Sequence, residues 1–391
     1  VTAARRLAAV LATRADEVDR GGRYSAANIE ALWAEGLGSL TLPSALGGAG
    51  ADLATTAAAV EAVATGDPAT ALIWVMHLLQ LRALSSGDSG WPEHLVRLVA
   101  AESVSGPALI NALRVEPDLG SPARGGIPAT TAVRSVASDG SAVWRITGHK
   151  IYSTGSHGLR WMAVWGATAA DDPDGQRVGA FLVPADRPGI EIRDTWDHLG
   201  MRASASNDVV FHDVEIPLDH AIDLQPPTAI PVRPGGAAVL GWMSALISAV
   251  YQGVAVSARD WLVGYLGERV PSNLGASLAT LPRFQAAVGE IEVMLHTNAR
   301  LLADLVGEID AGGARAEAAG ASSSATKVVV ARNVISAVEL ALSLIGNPGL
   351  SYHHPLQRHY RNALCSRIHT PQDDAVFASL GRAALLSPQS A

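Results

Sequence analysis

Cysteine is nearly absent from this chain. A single residue, Cys365, stands among 391, so neither an internal disulfide nor a cysteine-rich zinc site can form, and a reducing cytoplasm is the expected compartment. Lysine is almost as scarce: Lys150 and Lys327 are the only two among 29 cationic residues, the rest being arginine. Charged residues make up 17% of the chain and aromatic residues 5%. Lys+Arg 29 against Asp+Glu 37 leaves a net charge of −8, with no basic run, which argues against nucleic acid as a partner. Residues 1–16 carry charges throughout and lack the apolar centre of a secretory signal.

Several fingerprints are missing too. No G-x-G-x-x-G follows a strand pattern, no Gly-x4-Gly-Lys-Ser/Thr is present, and no G-x-S-x-G elbow occurs. The dinucleotide fold, the P-loop and the serine-hydrolase turn therefore have no support.

What the chain does have is apolar residues, at 48%, enough for a large core and for two or three domains. Pro234–Ala258 carries no charge and is long enough to span a bilayer. Its several Gly and Ser, with Tyr251 and Gln252, predict instead a buried helix in a soluble bundle, with no membrane partner.

The texture changes twice. Apolar residues recur at helical spacing from Val1 to about Val104, with Ser25 placed to cap a helix and Gly47–Gly50 reading as a loop. From Gly106 to Pro226 short apolar runs such as Val143–Ile146, Trp161–Trp165, Val178–Val183 and Asp208–Phe211 alternate with turn signals, predicting a small barrel or sandwich. After a connector with prolines at 226, 227, 231 and 234, long helices are predicted over Gly236–Leu266, Leu281–Ile309, Ala321–Ile345 and Pro371–Leu386. Gly312–Ala321 reads as a loop. The expected domains are residues 1–105, 106–226 and 235–391.

Histidines gather near the end, at 353, 354, 359 and 369, around Cys365. His354 and His359 are five apart and share no helix face, so a metal site is disfavoured. His369 precedes Thr370-Pro371-Gln372-Asp373, where Thr370 suits an N-cap and Pro371 the first helical position. The field of that helix start would favour a neutral imidazole, fit for acid–base work or for packing on the turn. His77 lies in an apolar helix and reads as a satisfied core histidine, with Asn111 as a candidate partner.

Four segments then resemble one family. Ile146–Ser156 with Trp161, and Trp196–Phe211 followed by Asp213-Val214 and Pro217, are similar to the flavin-contacting part of the acyl-CoA dehydrogenase superfamily. Gly36–Pro43 with Gly47–Asp52, and His354–Ala363, resemble its N-terminal loop and last-helix signature. The resemblance implies an α+β fold: an N-terminal helical domain, a central β-barrel and a C-terminal four-helix bundle.

Departures from the family pattern shift the implied chemistry. The places of a dehydrogenase's catalytic glutamate fall at Thr370 or Met243, neither a carboxylate. The flavin-pyrophosphate turn reads Ser343–Asn347, the Arg-x-x-Phe-Gly element reads Arg269–Gly275, and Asn111–Pro117 with Gly126–Thr130 replaces the glutamate-proline loop. These changes resemble the flavin-dependent monooxygenase branch, the dibenzothiophene monooxygenase-like two-component hydroxylases. By that resemblance His77, Asn111 and His369 surround the flavin C4a position, Ser153, Thr154 and Ser156 contact the ring, and Arg269 holds phosphate.

The implied activity uses O2 and reduced FMN from a separate flavin reductase, through a C4a-hydroperoxyflavin, to oxygenate a small apolar or aromatic substrate. FAD stays open as the cofactor, and a homotetramer is implied. An FAD-dependent acyl-CoA dehydrogenase is the alternative, and a flavin- or ligand-binding homologue without turnover a third reading.

Overall fold

A computed structural model of the chain describes residues 1–87, 89–119, 126–227 and 236–386. Among these residues six helices come first: α1 (Thr2–Ala12), α2 (Ala15–Gly21), α3 (Ala26–Ala34), α4 (Leu53–Gly66), α5 (Pro68–Leu84) and α6 (Glu93–Ser105). Their starts are set by capping side chains. Ser25 Oγ accepts from Asn28 N, Asp52 from Thr55 N, and Asp67 from Ala69 N and Thr70 N, with Pro68 at the first position of α5. Asp67 also takes an Nδ2–H of buried Asn28 at 3.0 Å, which ties α3 to α5.

Eight strands follow among the described residues: β1 (Leu109–Leu113), β2 (Thr131–Val136), β3 (Ala142–Ser153), β4 (Leu159–Thr168), β5 (Val178–Pro184), β6 (Ile190–Arg193), β7 (Asn207–Pro217) and β8 (Ala221–Gln225). They form one sheet in the order β6-β7-β3-β2-β4-β5-β8, with β1 parallel on β4. The sheet curls on itself. Trp144 of β3 meets Phe181 of β5 edge to face at 5.6 Å, although two strands separate them in the hydrogen-bonded order. A turn at Asp139-Gly140 joins β2 to β3, with Gly140 at φ +86° and Asp139 Oδ1 accepting from Ser141 N.

The C-terminal part contains α7 (Gly236–Glu268), α8 (Pro282–Asp310), α9 (Gly313–Ile345), α10 (Asn347–Leu350), α11 (Leu356–Leu364) and α12 (Asp373–Leu386). From Gly236 to Ala258 the uncharged run forms the first two-thirds of α7, whose most apolar stretch is 78% buried inside the protein. Part of the expected connector, residues 228–235, lies outside the described residues.

The loop expected over Gly312–Ala321 is instead the first part of α9. Five of its ten residues are alanine, which favours helix, and Gly320 lets α9 approach α7 closely. A Cβ on Gly320 would sit 2.0 Å from the Ala237 carbonyl oxygen. Buried amides fix the bundle register: Asn298 Nδ2 donates to Gln252 Oε1 at 3.0 Å, and Asn333 Nδ2 to Asn298 Oδ1 at 2.8 Å.

The two helical parts are clamped together. Arg358 and Arg361 of α11 pair with Asp16 and Asp19 of α2. Asp310, at the end of α8, accepts from Leu53 N and Ala54 N, both at 2.9 Å, and so caps α4 as well.

Candidate active site

The end of β3 breaks its own ladder. The pairing with β7 slips between Lys150 and Ser153, and Tyr152 takes φ +56° while remaining 56% exposed. A left-handed conformation is costly for the backbone of an aromatic residue. Beyond it, Gly155 N and Ser156 N donate to the carbonyls of Ser204 and Ala205. That second turn is held by two further left-handed residues, Met201 at φ +51° and Ala205 at φ +45°.

The facing turns assemble a row of hydroxyls. Thr154 Oγ1 lies 3.0 Å from Ser206 Oγ, which lies 2.8 Å from Ser204 Oγ. Asn111 of β1 donates from Nδ2 to the Thr154 carbonyl at 3.0 Å. Ser153 is buried and its Oγ has no hydrogen-bond partner. The structure thus brings together Asn111, Ser153 and Thr154.

Ser156 Oγ donates to Ala205 O at 2.8 Å and accepts from Asn207 Nδ2 at 3.2 Å, and so joins the two turns. His77 is fully buried, with Nε2 3.0 Å from Gly38 O and Nδ1 accepting the Ile110 N–H at 3.1 Å, the satisfied core histidine that its apolar helix predicts. The backbone therefore fixes the Nε2–H tautomer, and burial pushes the pKa down to about 4. His77 is a strut, and its partner is the Ile110 amide rather than the Asn111 side chain. Arg269 is exposed just past the end of α7, eighteen positions beyond Tyr251, about 27 Å along the axis at 1.5 Å per residue.

His369 belongs to a different cluster, inside the bundle. Its Nε2 lies 2.6 Å from the Tyr251 hydroxyl of α7, and Lys327 of α9 donates to the carbonyls of His369 at 2.6 Å and Pro371 at 2.9 Å. The expected cap is displaced, because α12 starts at Asp373 and Pro371 O is taken by Lys327. The imidazole is neutral, as the sequence predicts, but for another reason. Burial and then the Lys327 cation, rather than a helix start, bring its pKa down to about 4. Met243 packs against the core.

The other histidines diverge. His354 packs on Trp261 at 5.4 Å between ring centroids, and His359 lies beside Ser257, while His353 is exposed.

Sequence reasoning missed Tyr152, Tyr251 and the Glu116–Lys150 pair. Glu116 was assigned to a replaced loop. In the structure its buried carboxylate accepts from Lys150 Nζ at 2.6 Å, Thr130 Oγ1 at 2.6 Å and the Ala129 and Thr130 amides. Lys150 is fully buried, and desolvation brings its pKa to about 8. The available signal was scarcity: both lysines of the chain are buried, at 0% and 3% exposure, while arginine serves the surface.

This arrangement has relatives. Models of the acyl-CoA dehydrogenase N-terminal, middle and C-terminal domains match residues 1–86, 115–214 and 245–373. The putative acyl-CoA dehydrogenase YdbM of Bacillus subtilis (strain 168) is 34% identical over 373 residues, 95% of this chain and 93% of that one. L-evernosamine nitrososynthase of Micromonospora sp. is 27% identical over 384 residues, covering 95% and 87%. The structure of KijD3 with FMN and a dTDP-linked 3-amino-4-keto sugar superposes with TM-score 0.82 at 26% identity, over 98% and 94% of the chains. TdsC of Paenibacillus sp. A11-2, solved with FMN and indole, shares the fold at TM-score 0.86 and 21% identity, over 98% and 96%. With three successive domain models and a relative matched over nearly its whole length, the chain belongs to the acyl-CoA dehydrogenase family.

Proposed function

We propose that this protein is a flavin-dependent monooxygenase that uses reduced flavin and O2 to oxygenate a small apolar or aromatic molecule. The observation that carries the reading is the group at the bundle site. His369 and Tyr251 form a neutral imidazole–phenol pair, and among the described residues no carboxylate bonds to it. A dehydrogenase needs a base that removes a carbon-bound proton, for which a carboxylate serves. An oxygenase needs neutral hydrogen-bonding groups and a dry site.

The turn at Thr154 has the chemistry to hold a flavin ring. Ser153 Oγ is a buried hydroxyl without a partner, the Thr154–Ser206–Ser204 row can donate or accept, and Tyr152 offers an exposed aromatic face. When bound, reduced flavin supplies the electrons that activate O2. Asn111 holds the Thr154 carbonyl in place, and His77 holds the strand that carries Asn111. His369 is the group that holds or moves a proton, at its free ring nitrogen. FMN from a separate reductase is the preferred cofactor, with FAD possible. KijD3 and TdsC, both solved with FMN, support that preference. A cytoplasmic homotetramer completes the reading, and in such an assembly Arg269 remains a candidate phosphate ligand for a neighbouring subunit's cofactor.

A second reading has one observation in its favour. Asp373 Oδ1 is buried without a hydrogen-bond partner, four residues past His369, and is the carboxylate an acyl-CoA dehydrogenase would need.

Anaerobic titrations separate the two. The proposal expects reduced FMN to bind more tightly than oxidised FMN, and no bleaching of bound flavin by acyl-CoA thioesters. Bleaching by a thioester, lost in Asp373→Asn, would establish the dehydrogenase instead. Indole and a dTDP-linked amino sugar are the first substrate probes.

A further inference from the structure

We propose that Tyr251 is a positioning residue that fixes the tautomer of His369, so that the imidazole presents its Nδ1–H to the open side of the site. The functional weight of this assignment rests on the monooxygenase reading, whereas the tautomer itself does not.

The Tyr251 oxygen and His369 Nε2 are 2.6 Å apart, with ring centroids at 5.5 Å and planes tilted by 49°. One proton lies between them, and either atom could carry it. Both groups are neutral, since burial raises the phenol well above 10 and lowers the imidazole to about 4. Between neutral partners the phenol is the stronger donor and a bare ring nitrogen the stronger acceptor, so Tyr251 donates and Nε2 accepts. The remaining imidazole proton is then on Nδ1.

Three features hold that choice. Tyr251 is 1% exposed, and the gap it lines, with Ile247, Ser248, Lys327, Val330, Ala331 and Ser366, has no room for a water molecule to compete for the hydroxyl. Lys327 brings its ammonium to the His369 carbonyl at 2.6 Å, and a cation so near disfavours a second charge on the ring. Among the described residues Nδ1 has no protein partner, nor is it one of the buried unpartnered atoms, so it lies on the accessible edge of a half-buried side chain. Histidine in water favours the Nε2–H form, so without Tyr251 the ring has no reason to carry its proton on Nδ1.

The test reads the tautomer directly. Protein labelled with nitrogen-15 in the histidine rings is compared by long-range proton–nitrogen NMR with His369→Asn, which identifies the His369 signals, and with Tyr251→Phe. The expected result is a bare, hydrogen-bonded Nε2 and a protonated Nδ1 in the natural protein, moving toward the Nε2–H form in Tyr251→Phe. A protonated Nε2 in the natural protein, or an unchanged tautomer in Tyr251→Phe, overturns the assignment.

A second arm asks whether Nδ1–H is the working donor. An Asn side chain places its amide N–H near the Nδ1 position and a Gln near Nε2. His369→Gln should therefore shorten the transient that follows mixing of bound reduced FMN with oxygen about tenfold, the scale of one lost hydrogen bond, and His369→Asn should shorten it less. Equal loss in both variants overturns the role of Nδ1. Failure of reduced FMN to bind at all would instead sink the monooxygenase reading while the NMR result stood.

Discussion

His77 reaches Asn111 through a single backbone amide. Its Nδ1 accepts the Ile110 N–H at 3.1 Å, and the next residue, Asn111, donates to the Thr154 carbonyl at 3.0 Å. The other ring nitrogen is anchored on Gly38 O, so one buried imidazole connects the loop after α3, helix α5 and the strand beside the hydroxyl row. His77→Ala would leave a buried carbonyl and a buried amide unpaired, at roughly 1–3 kcal/mol each. The expected outcome is a loss of several kcal/mol in urea unfolding. Stability within about 0.5 kcal/mol of the natural protein would contradict the strut.

The buried histidines also give an acid dependence with a definite sign. Folding lowers the pKa of His77 and His369 to about 4 and of His359 to about 3, from an ordinary 6.5. The unfolded chain then binds more protons than the folded one below pH 6.5. Their contribution is complete above that pH and is lost as pH falls toward 4. For His77 alone the full loss is roughly 3 kcal/mol. Urea midpoints measured from pH 7.5 to 4.5 should fall through this window, and a flat profile would count against the buried neutral rings.

Ser153 separates stability from binding. Its hydroxyl has no partner in the protein, so Ser153→Ala removes an unpaired buried group and should leave the melting temperature equal or slightly higher. If that hydroxyl contacts flavin, the same variant binds reduced FMN roughly tenfold more weakly, the size of one hydrogen bond. Unchanged affinity would remove Ser153 from the site.

Glu116 and Lys150 form the ion pair of the sheet interior, at 2.6 Å, with Lys150 fully buried. Glu116→Gln strands a buried ammonium and should cost about 3–5 kcal/mol, whereas Lys150→Met leaves a carboxylate still bonded by Ala129 and Thr130. The double variant should recover much of the single Glu116→Gln loss. Additive losses in a double-mutant cycle would show that the two do not act as a pair.

The layout was legible because it follows from patterning. Helix spacing, turn residues and the uncharged run gave the three textures, and Ser25 caps α3 where its position predicts. The alanine-rich start of α9 was misread because glycines obscured a helix that tertiary packing completes through Gly320. The site was harder to read for a geometric reason. Asn111, Ser153 and Thr154 meet because β1 lies on β4 and the β3 end slips its register, neither of which is periodic. Tyr251 sits in an apolar helix 118 residues from His369, and no local signal marks one tyrosine as a hydrogen-bond partner at that separation. His77, a polar residue in an apolar helix, and Ser156, named through the family resemblance, both bond to the backbone or to neighbouring side chains.

The most direct test is to mix the protein and photoreduced FMN rapidly with oxygenated buffer and follow the flavin absorbance. An oxygen-activating site should yield a transient that outlives the oxidation of free reduced FMN and is shortened in His369→Ala. Oxidation as fast as that of the free flavin, together with tightly held FAD that an acyl-CoA thioester bleaches without oxygen, would contradict the account and make the protein a dehydrogenase.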